Sequence, residues 1–194
     1  MSEAAAKRVS RKDWCMAGLS VLRDQGHQAL TIERVCGLLH KTKGSFYHHF
    51  GSLDAYHEAV LAQWEADLTE QPIAIASRES GTKKKAERLD DVVAKLDHRV
   101  DRAVRAWALY DERARAAMRR VDERRIGYLA ELYRASGRPE PALFAELEYT
   151  AFVGGQHLDC FERPEAAARL NQALRAALTA WDGTLPGGKR KRGR

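Results

Sequence analysis

An all-α fold is predicted by three features of the 194-residue sequence. Apolar residues recur every three or four positions along most of the chain, which is the spacing that gives a helix one buried side. Leucine, alanine and arginine are abundant, and there are only five prolines to break helices. No segment alternates polar and apolar residues as a half-buried strand would. A chain of this length is expected to bury a substantial core in one or two domains.

The first helix is predicted to begin at a capping box. Ser10 is followed three positions later by Asp13, so each side chain can accept a hydrogen bond from the other residue's backbone amide. Trp14 and Leu22 then belong to an apolar side of the helix, and Gly26 suits its end.

The segment TIERVCGLLHKTKGSFYHHF, residues 31–50, predicts two short helices joined by a tight turn. Thr31 and Thr42 are each suitable N-caps, and the apolar pattern of the first helix breaks at His40. Phe46 and Phe50 lie four residues apart and should face inward. Gly51 is expected to end the second helix in the left-handed conformation. The side chains left on the outside include Lys43, Ser45, Tyr47, His48 and His49, which can donate to phosphate oxygens and base edges.

Together with the preceding helix, the motif TKGSFYHHFGS resembles the DNA-binding domain of the tetracycline-repressor (TetR) family of transcription regulators. The resemblance implies a three-helix, helix-turn-helix domain over residues 1–51. It also implies a helical effector-binding and dimerisation domain over residues 52–183. Residues 184–194 form a basic tail that could add nonspecific DNA affinity or have no role. Double-stranded DNA, a second copy of the chain and a small-molecule effector are the implied partners.

Eight residues are expected to contact DNA by this resemblance. Base edges are assigned to Lys43, Gly44, Ser45 and His48, and phosphates to Thr31, Thr42, Tyr47 and His49. Lys7, Arg8, Arg11 and Lys12 could also reach phosphates, or could form a solvated cluster.

Three positions depart from the family pattern. His40 and Lys41 occupy the turn where the family usually has a glycine and an apolar residue. Histidine tolerates the left-handed conformation better than most residues, but Lys41 must either extend outward or loosen the turn. Leu53 replaces a lysine that contacts the DNA backbone in many members, so one phosphate contact is expected to be missing.

Beyond Ser52, which should cap a fourth helix, the pattern remains helical. Residues 71–82 are expected to form a loop or a weak helix end. Periodicity alone permits one helix from residue 83 to 110, whereas the family would interrupt it near Asp97. Another helix should start at Asp111 and stop before Gly137.

The last two helices are predicted over residues 140–160 and 164–181. The final helix has a stripe of small and large apolar residues: Ala166, Leu170, Ala173 or Leu174, Ala177 or Leu178, and Trp181. The resemblance implies that both helices pair with a second subunit as a four-helix bundle. Packing within one chain is the alternative.

An effector pocket is expected among aromatic and polar side chains of the body, although each of these residues could instead belong to the core. Trp107 and Tyr128 are the leading wall residues. The full set is His57, Trp64, Trp107, Tyr110, Tyr128 and Phe152, with Tyr149 and His157 as further candidates. A DNA-binding dimer that takes no small ligand is the alternative function.

The net charge of +6 is unevenly distributed. Residues 1–51 contribute an excess of basic side chains, residues 52–186 are mildly acidic, and residues 187–194 contain five cations and no anion. The basic character therefore lies in the predicted DNA-binding domain and the tail.

Enzyme classes find little support in the sequence. There is no glycine-rich phosphate loop or nucleophile elbow, and the adjacent His48 and His49 diverge by about 100° around a helix, so they cannot share a metal. Cys15, Cys36 and Cys160 are an odd number without a paired motif, which disfavours disulfides and zinc. No catalytic residue, cofactor or metal is expected. The absence of a long apolar run or a signal peptide favours a cytoplasmic protein without a membrane partner.

Overall fold

The computed structural model describes residues 9–181, and this range contains ten α-helices and no β-strand. The predicted all-α fold is confirmed. The predicted basic tail, together with Lys7 and Arg8, lies outside the described residues. The helices are α1 Arg11–Gln25, α2 Ile32–Leu39, α3 Lys43–His49, α4 Leu53–Glu65, α5 Gln71–Ser77, α6 Thr82–Val93, α7 His98–Trp107, α8 Glu112–Ala135, α9 Pro141–His157 and α10 Pro164–Ala180.

The chain divides into two compact units. The first unit combines Met1–Ala74 with Leu96–Asp122, so helices α1 to α4 share a core with α7 and the beginning of α8. The second unit combines Ile75–Lys95 with Glu123–Arg194 and contains α6, the rest of α8, α9 and α10. The predicted helix-turn-helix segment therefore packs together with part of the body that follows it.

The helix starts are set by side-chain caps at the residues that the sequence predicts. In the capping box of α1, the Asp13 carboxylate accepts from the Ser10 amide at 2.8 Å, and Ser10 Oγ accepts from the Asp13 amide at 3.2 Å. Gly26 ends α1 with a φ of 78°. The same type of N-cap is made by Thr31, Thr42 and Ser52 at α2, α3 and α4.

An aromatic cluster forms the centre of the first unit. Phe46 is fully buried, and its ring lies 5.6 Å from that of Trp14 and 5.2 Å from that of Tyr56, edge to face in both cases. The Tyr56 hydroxyl donates a hydrogen bond of 2.8 Å to the carbonyl oxygen of Trp14. Burying each such ring contributes about 1.5–3 kcal/mol. The cluster therefore fixes α3 against both α1 and α4.

The expectation for Gly51 is wrong. The third helix ends at His49, and the following residue, Phe50, is extended with a φ of −137° and is 2% exposed. Burial of the Phe50 ring turns the chain out of the helix, so no left-handed residue is needed there. Positive φ occurs in this segment at His40 instead.

Residues 71–82 were predicted to form a loop or a weak helix end, and the structure has a short helix, α5, over the first seven of them. A π-helical turn, Ala66–Glu70, connects α4 directly to α5. Pro72 lies just after this π-helical turn, within helical structure that is continuous from residue 53 to residue 77. Gly81, with a φ of 86°, then separates α5 from α6.

The interruption that the resemblance implies near Asp97 is present, although periodicity alone permitted one continuous helix. The helix α6 ends at Val93, and Asp97 caps α7 by accepting from the Arg99 amide at 3.1 Å. The Arg99 guanidinium also donates to this carboxylate, and that hydrogen bonding lowers the pKa of Asp97 to about 2. The charged cap at Asp97 therefore starts a new helix, although the apolar spacing would permit one continuous helix.

A polar network connects four helices of the second unit to one another. The Arg175 guanidinium in α10 binds both oxygens of Asp90 in α6, and also donates to Glu148 in α9 at 2.7 Å. The other Glu148 oxygen accepts from the Tyr133 hydroxyl of α8. Four helices therefore meet at a single guanidinium and its two carboxylates, where charge-assisted hydrogen bonds offset the loss of solvation.

The contact between α1 and α4 yields a stability prediction. A Cβ added at Gly18 of α1 would lie 2.4 Å from the Tyr56 hydroxyl and 2.7 Å from Val60 Cγ2. We expect Gly18→Ala to lower the free energy of unfolding by about 1–3 kcal/mol, because two rigid side chains of α4 must move. Urea unfolding followed by circular dichroism measures the change.

Gly37→Ala is the matched control for that substitution. Gly37 also lies within a helix, and a Cβ there would meet nothing within 4 Å. Alanine should stabilise this site by up to about 1 kcal/mol through helix propensity. Equal effects of the two substitutions would contradict the close packing of α1 on α4.

Candidate nucleic-acid interface

The turn between α2 and α3 is a well-formed Schellman motif. His40 is left-handed, with φ 52° and ψ 45°, and its amide donates to the Gly37 carbonyl at 3.2 Å. The Lys41 amide donates to the Cys36 carbonyl at 2.9 Å. These two bonds satisfy the free carbonyls at the end of α2. The histidine therefore takes the conformation that a glycine would take, and the turn is preserved.

One side of α3 is buried and the other is exposed. Phe46 and Phe50 face the core, as predicted, whereas Tyr47 is 53% exposed. The other side chains predicted for DNA contact are distributed along the same short helix. Exposed positions are Lys43, Gly44 and His48, and the partly buried positions are Ser45 and His49.

Thr31 and Thr42 occupy equivalent positions at the starts of α2 and α3. Each hydroxyl oxygen accepts one backbone hydrogen bond, from Arg34 at 3.2 Å and from Ser45 at 3.3 Å. The hydroxyl proton is not used in these caps, so each threonine still has a donor for a phosphate oxygen. The positive ends of the two helix dipoles favour an anion at the same places.

Lys43 makes an ion pair that connects the two helices of the motif. Its ammonium donates to the Glu33 carboxylate in the first turn of α2. This hydrogen bond lowers the pKa of Glu33 and raises the pKa of Lys43. Both side chains are more than 60% exposed, so the pair adds little stability. The ammonium can exchange this partner for a base or phosphate.

The sequence analysis did not identify Glu33 as part of this surface, and it did not predict the contact that Arg11 makes there. Glu33 lies ten positions before Lys43, a separation for which no helical spacing rule predicts contact. Arg11, predicted either to reach a phosphate or to form part of a solvated cluster, places its guanidinium 4.8 Å from the centre of the Phe50 ring. This cation–π contact holds Arg11 beside the end of α3.

Four of the predicted effector residues lie in the first unit. His57 Nε2 lies 3.0 Å from the Leu30 carbonyl oxygen, and its ring is edge-on to Trp107 at 5.2 Å. Burial lowers the pKa of His57 and so disfavours its protonated form. Trp64 donates to Asp101 at 2.6 Å, while Tyr110 is 80% exposed.

The remaining effector candidates lie in the second unit. The Tyr128 hydroxyl lies 3.1 Å from Ser77 Oγ. Phe152 stacks on Tyr149 at 5.9 Å and meets Phe161 edge to face at 5.4 Å. His157 is exposed near the end of α9. The structure therefore distributes the predicted set over two units, and effector binding by these residues stays a prediction.

Nothing in residues 9–181 indicates a metal site or a membrane-spanning helix. No group of three or more histidine, cysteine or acidic residues there is placed to hold a metal ion. All three cysteines are free, and burial raises the pKa of the Cys15 and Cys36 thiols. None of the described helices is long and apolar enough to cross a membrane.

Comparison with known proteins identifies the fold. No protein-family model and no curated protein matches the sequence. Three solved structures are similar over nearly their whole length. A candidate transcriptional regulator of the TetR/AcrR family has a TM-score of 0.72 and 20% identity, covering 87% of this chain and 96% of its own.

NemR of E. coli in its reduced form has a TM-score of 0.70 and 17% identity, covering 86% of this chain and 95% of its own. A candidate transcriptional regulator from Pseudomonas aeruginosa PAO1 has a TM-score of 0.73 and 14% identity, covering 93% and 97%. The chain therefore has the fold of TetR/AcrR-type transcriptional regulators.

Proposed function

We propose that the protein is a TetR-family regulator that binds a palindromic operator as a homodimer. The main support is the arrangement of α3, whose aromatic side is locked in the core while its polar side is presented to solvent. A rigid short helix after a tight turn fits the width of the DNA major groove. The fold that the chain shares with candidate transcriptional regulators supports the same function.

We expect one group of side chains on this surface to contact DNA bases and a second group to contact phosphates. Lys43, Gly44 and Ser45 occupy the first turn of α3, and His48 follows one turn later. We assign base readout to these four residues, because the leading end of the second helix reaches deepest into the groove. The caps Thr31 and Thr42, with Tyr47 and His49, would bind phosphates and fix the docking angle.

Dimerisation would use the outer sides of α9 and α10. The final helix has two apolar stripes rather than one. Leu178 is buried and Trp181 packs on Phe144 at 5.3 Å, so these residues belong to the core of the second unit. A second stripe is exposed and is formed by Ala166, Leu170, Ala173 and Ala177. Small residues around a central leucine permit close helix approach, and Leu147 of α9 is also 44% exposed.

Release of the operator by a small molecule is the default mode of action that the resemblance implies, with the protein acting as a repressor. A dimer that binds DNA without any small ligand is the alternative. Thermal unfolding against a panel of metabolites distinguishes the two, because a ligand that binds only the folded state raises the melting temperature.

Substitutions in α3 should separate sequence readout from general affinity. We expect Lys43→Ala and Ser45→Ala to change the preferred base at particular operator positions, at a cost of about 1–3 kcal/mol per lost contact. Tyr47→Phe should weaken binding to all sequences alike, because a phosphate contact carries no sequence information. Fluorescence anisotropy with a set of single-base operator variants measures both effects.

Lys84→Gln serves as the control, since Lys84 is an exposed cation of α6 outside the helix-turn-helix. It should leave affinity and base preference unchanged. A uniform loss for Lys43→Ala combined with a base-specific loss for Tyr47→Phe would reverse the assignment.

The exposed stripe of α10 yields a second prediction. Leu170 is 47% exposed, so Leu170→Glu should leave the chain folded but place two carboxylates in the proposed interface. We expect sedimentation equilibrium to show a monomer at concentrations where the unaltered protein is a dimer. Gln172→Glu adds the same charge at an exposed position of α10 away from the stripe, and it should remain dimeric. Dimers in both variants would contradict the proposed interface.

A further inference from the structure

The second unit contains a cavity that none of the predicted effector residues lines. Its volume is about 250 Å³, and it is bounded by α6, the end of α8, α9 and α10. Most of its wall is apolar, from residues of three different helices: Ala86, Leu89, Leu129, Leu132 and Leu178. Binding pockets are commonly apolar with a few polar groups that orient the ligand.

The acidic group of this cavity is already satisfied. One oxygen of Glu148 accepts from Arg175 at 2.7 Å, and the other accepts from the Tyr133 hydroxyl. Its side chain is only 11% exposed. A cationic ligand would therefore have to disrupt existing hydrogen bonds to reach this carboxylate, and the cost of doing so disfavours cations.

Two cations that line the cavity, Arg138 and Lys83, have weaker partners than Arg175 has. Arg138 donates to neutral acceptors, the Thr179 carbonyl at 3.4 Å and Thr179 Oγ1 at 3.1 Å, and its guanidinium lies 6.0 Å from the centre of the Phe144 ring. No carboxylate among residues 9–181 forms an ion pair with it. Lys83 has a distant partner, Glu87 at 3.8 Å, and its side chain is 89% exposed, which places it at the open edge.

Size restricts the ligand further. An apolar cavity of about 150 Å³ is enough to hold benzene. The present cavity, at about 250 Å³, is larger but remains below the usual range for drug-sized ligands, so it suits one ring or a short alkyl chain with a single polar group. A planar carboxylate is the group that matches the fork of donors on an arginine.

We propose that this cavity binds a small organic monocarboxylate, with its apolar body between α6, α8 and α10 and its carboxylate against Arg138 and Lys83. The inference rests on the proposed function, because it gives that regulator a chemical class of effector. Binding couples to DNA only if the ligand's affinity differs between the DNA-bound and free conformations.

Three probes of similar shape and different charge test the proposal on the full chain: benzoate, benzyl alcohol and benzylamine. An NMR titration measures each dissociation constant at neutral pH. We expect benzoate to bind about tenfold more tightly than benzyl alcohol, as one additional charge-assisted hydrogen bond allows, and benzylamine to bind most weakly. Equal affinity for benzoate and benzyl alcohol, or no binding of benzoate, would overturn the proposal.

Arg138→Gln should weaken benzoate about tenfold and leave benzyl alcohol unchanged. The matched control is Arg134→Gln, because Arg134 is an exposed arginine in the last turn of α8, four residues before Arg138, and does not line the cavity. Ala86→Phe fills the apolar part and should abolish binding of both probes in a protein whose circular dichroism is unaltered. Benzoate binding that survives both Arg138→Gln and Ala86→Phe would place the ligand elsewhere and refute the assignment.

Failure of this proposal can be separated from failure of the proposed function. A protein that binds benzoate through Arg138 but prefers no DNA sequence would uphold the site and refute the function as a regulator. A protein that selects a DNA sequence but binds none of the three probes would uphold the regulator and refute the carboxylate site. Both proposals are supported if benzoate weakens operator binding by the unaltered protein but has no such effect on the Arg138→Gln variant.

Discussion

Burial of the Phe46 ring is the constraint on which the DNA-binding surface depends. This ring contacts Trp14 of α1 and Tyr56 of α4, and the Tyr56 hydroxyl returns to the Trp14 backbone. Because α3 has only seven residues, it could not hold its orientation by helix propensity alone. Its polar side is directed outward only as long as its aromatic side stays in the core. The same few side chains therefore stabilise the first unit and set the orientation of the surface that is proposed to bind DNA.

In the second unit, a charged network accompanies the aromatic contacts of Phe144 and Phe152. Arg175, Asp90, Glu148 and Tyr133 bring one residue from each of four helices to one point. Such a network specifies a unique arrangement but adds little net stability, because its charges must leave water. Arg175 and Tyr133 also donate hydrogen bonds to Glu148, the carboxylate that lines the neighbouring cavity. The cations at the cavity edge are consequently the groups left to bind a ligand.

Much of the fold follows from local sequence signals. The caps at Ser10, Thr31, Thr42 and Ser52 and the inward positions of Phe46 and Phe50 were predictable because each depends on residues three or four apart. Predictions from the sequence were wrong where tertiary contacts override the local preference of the chain. Phe50 leaves the helix because its ring is buried, and α5 continues the chain in helical form through the first half of the segment 71–82. The pair of Glu33 with Lys43 and the cavity around Arg138 depend on distant residues, so no local pattern could indicate them.

Selection of bound duplexes from a random DNA pool by the purified 194-residue chain tests whether α3 reads DNA sequence. A two-fold symmetric DNA surface requires two copies of α3 separated by about one helical turn, roughly 34–36 Å. We predict enrichment of a palindrome with two half-sites at that spacing. Recovery of no enriched sequence would contradict it, and would mean that the exposed side of α3 does not read DNA bases.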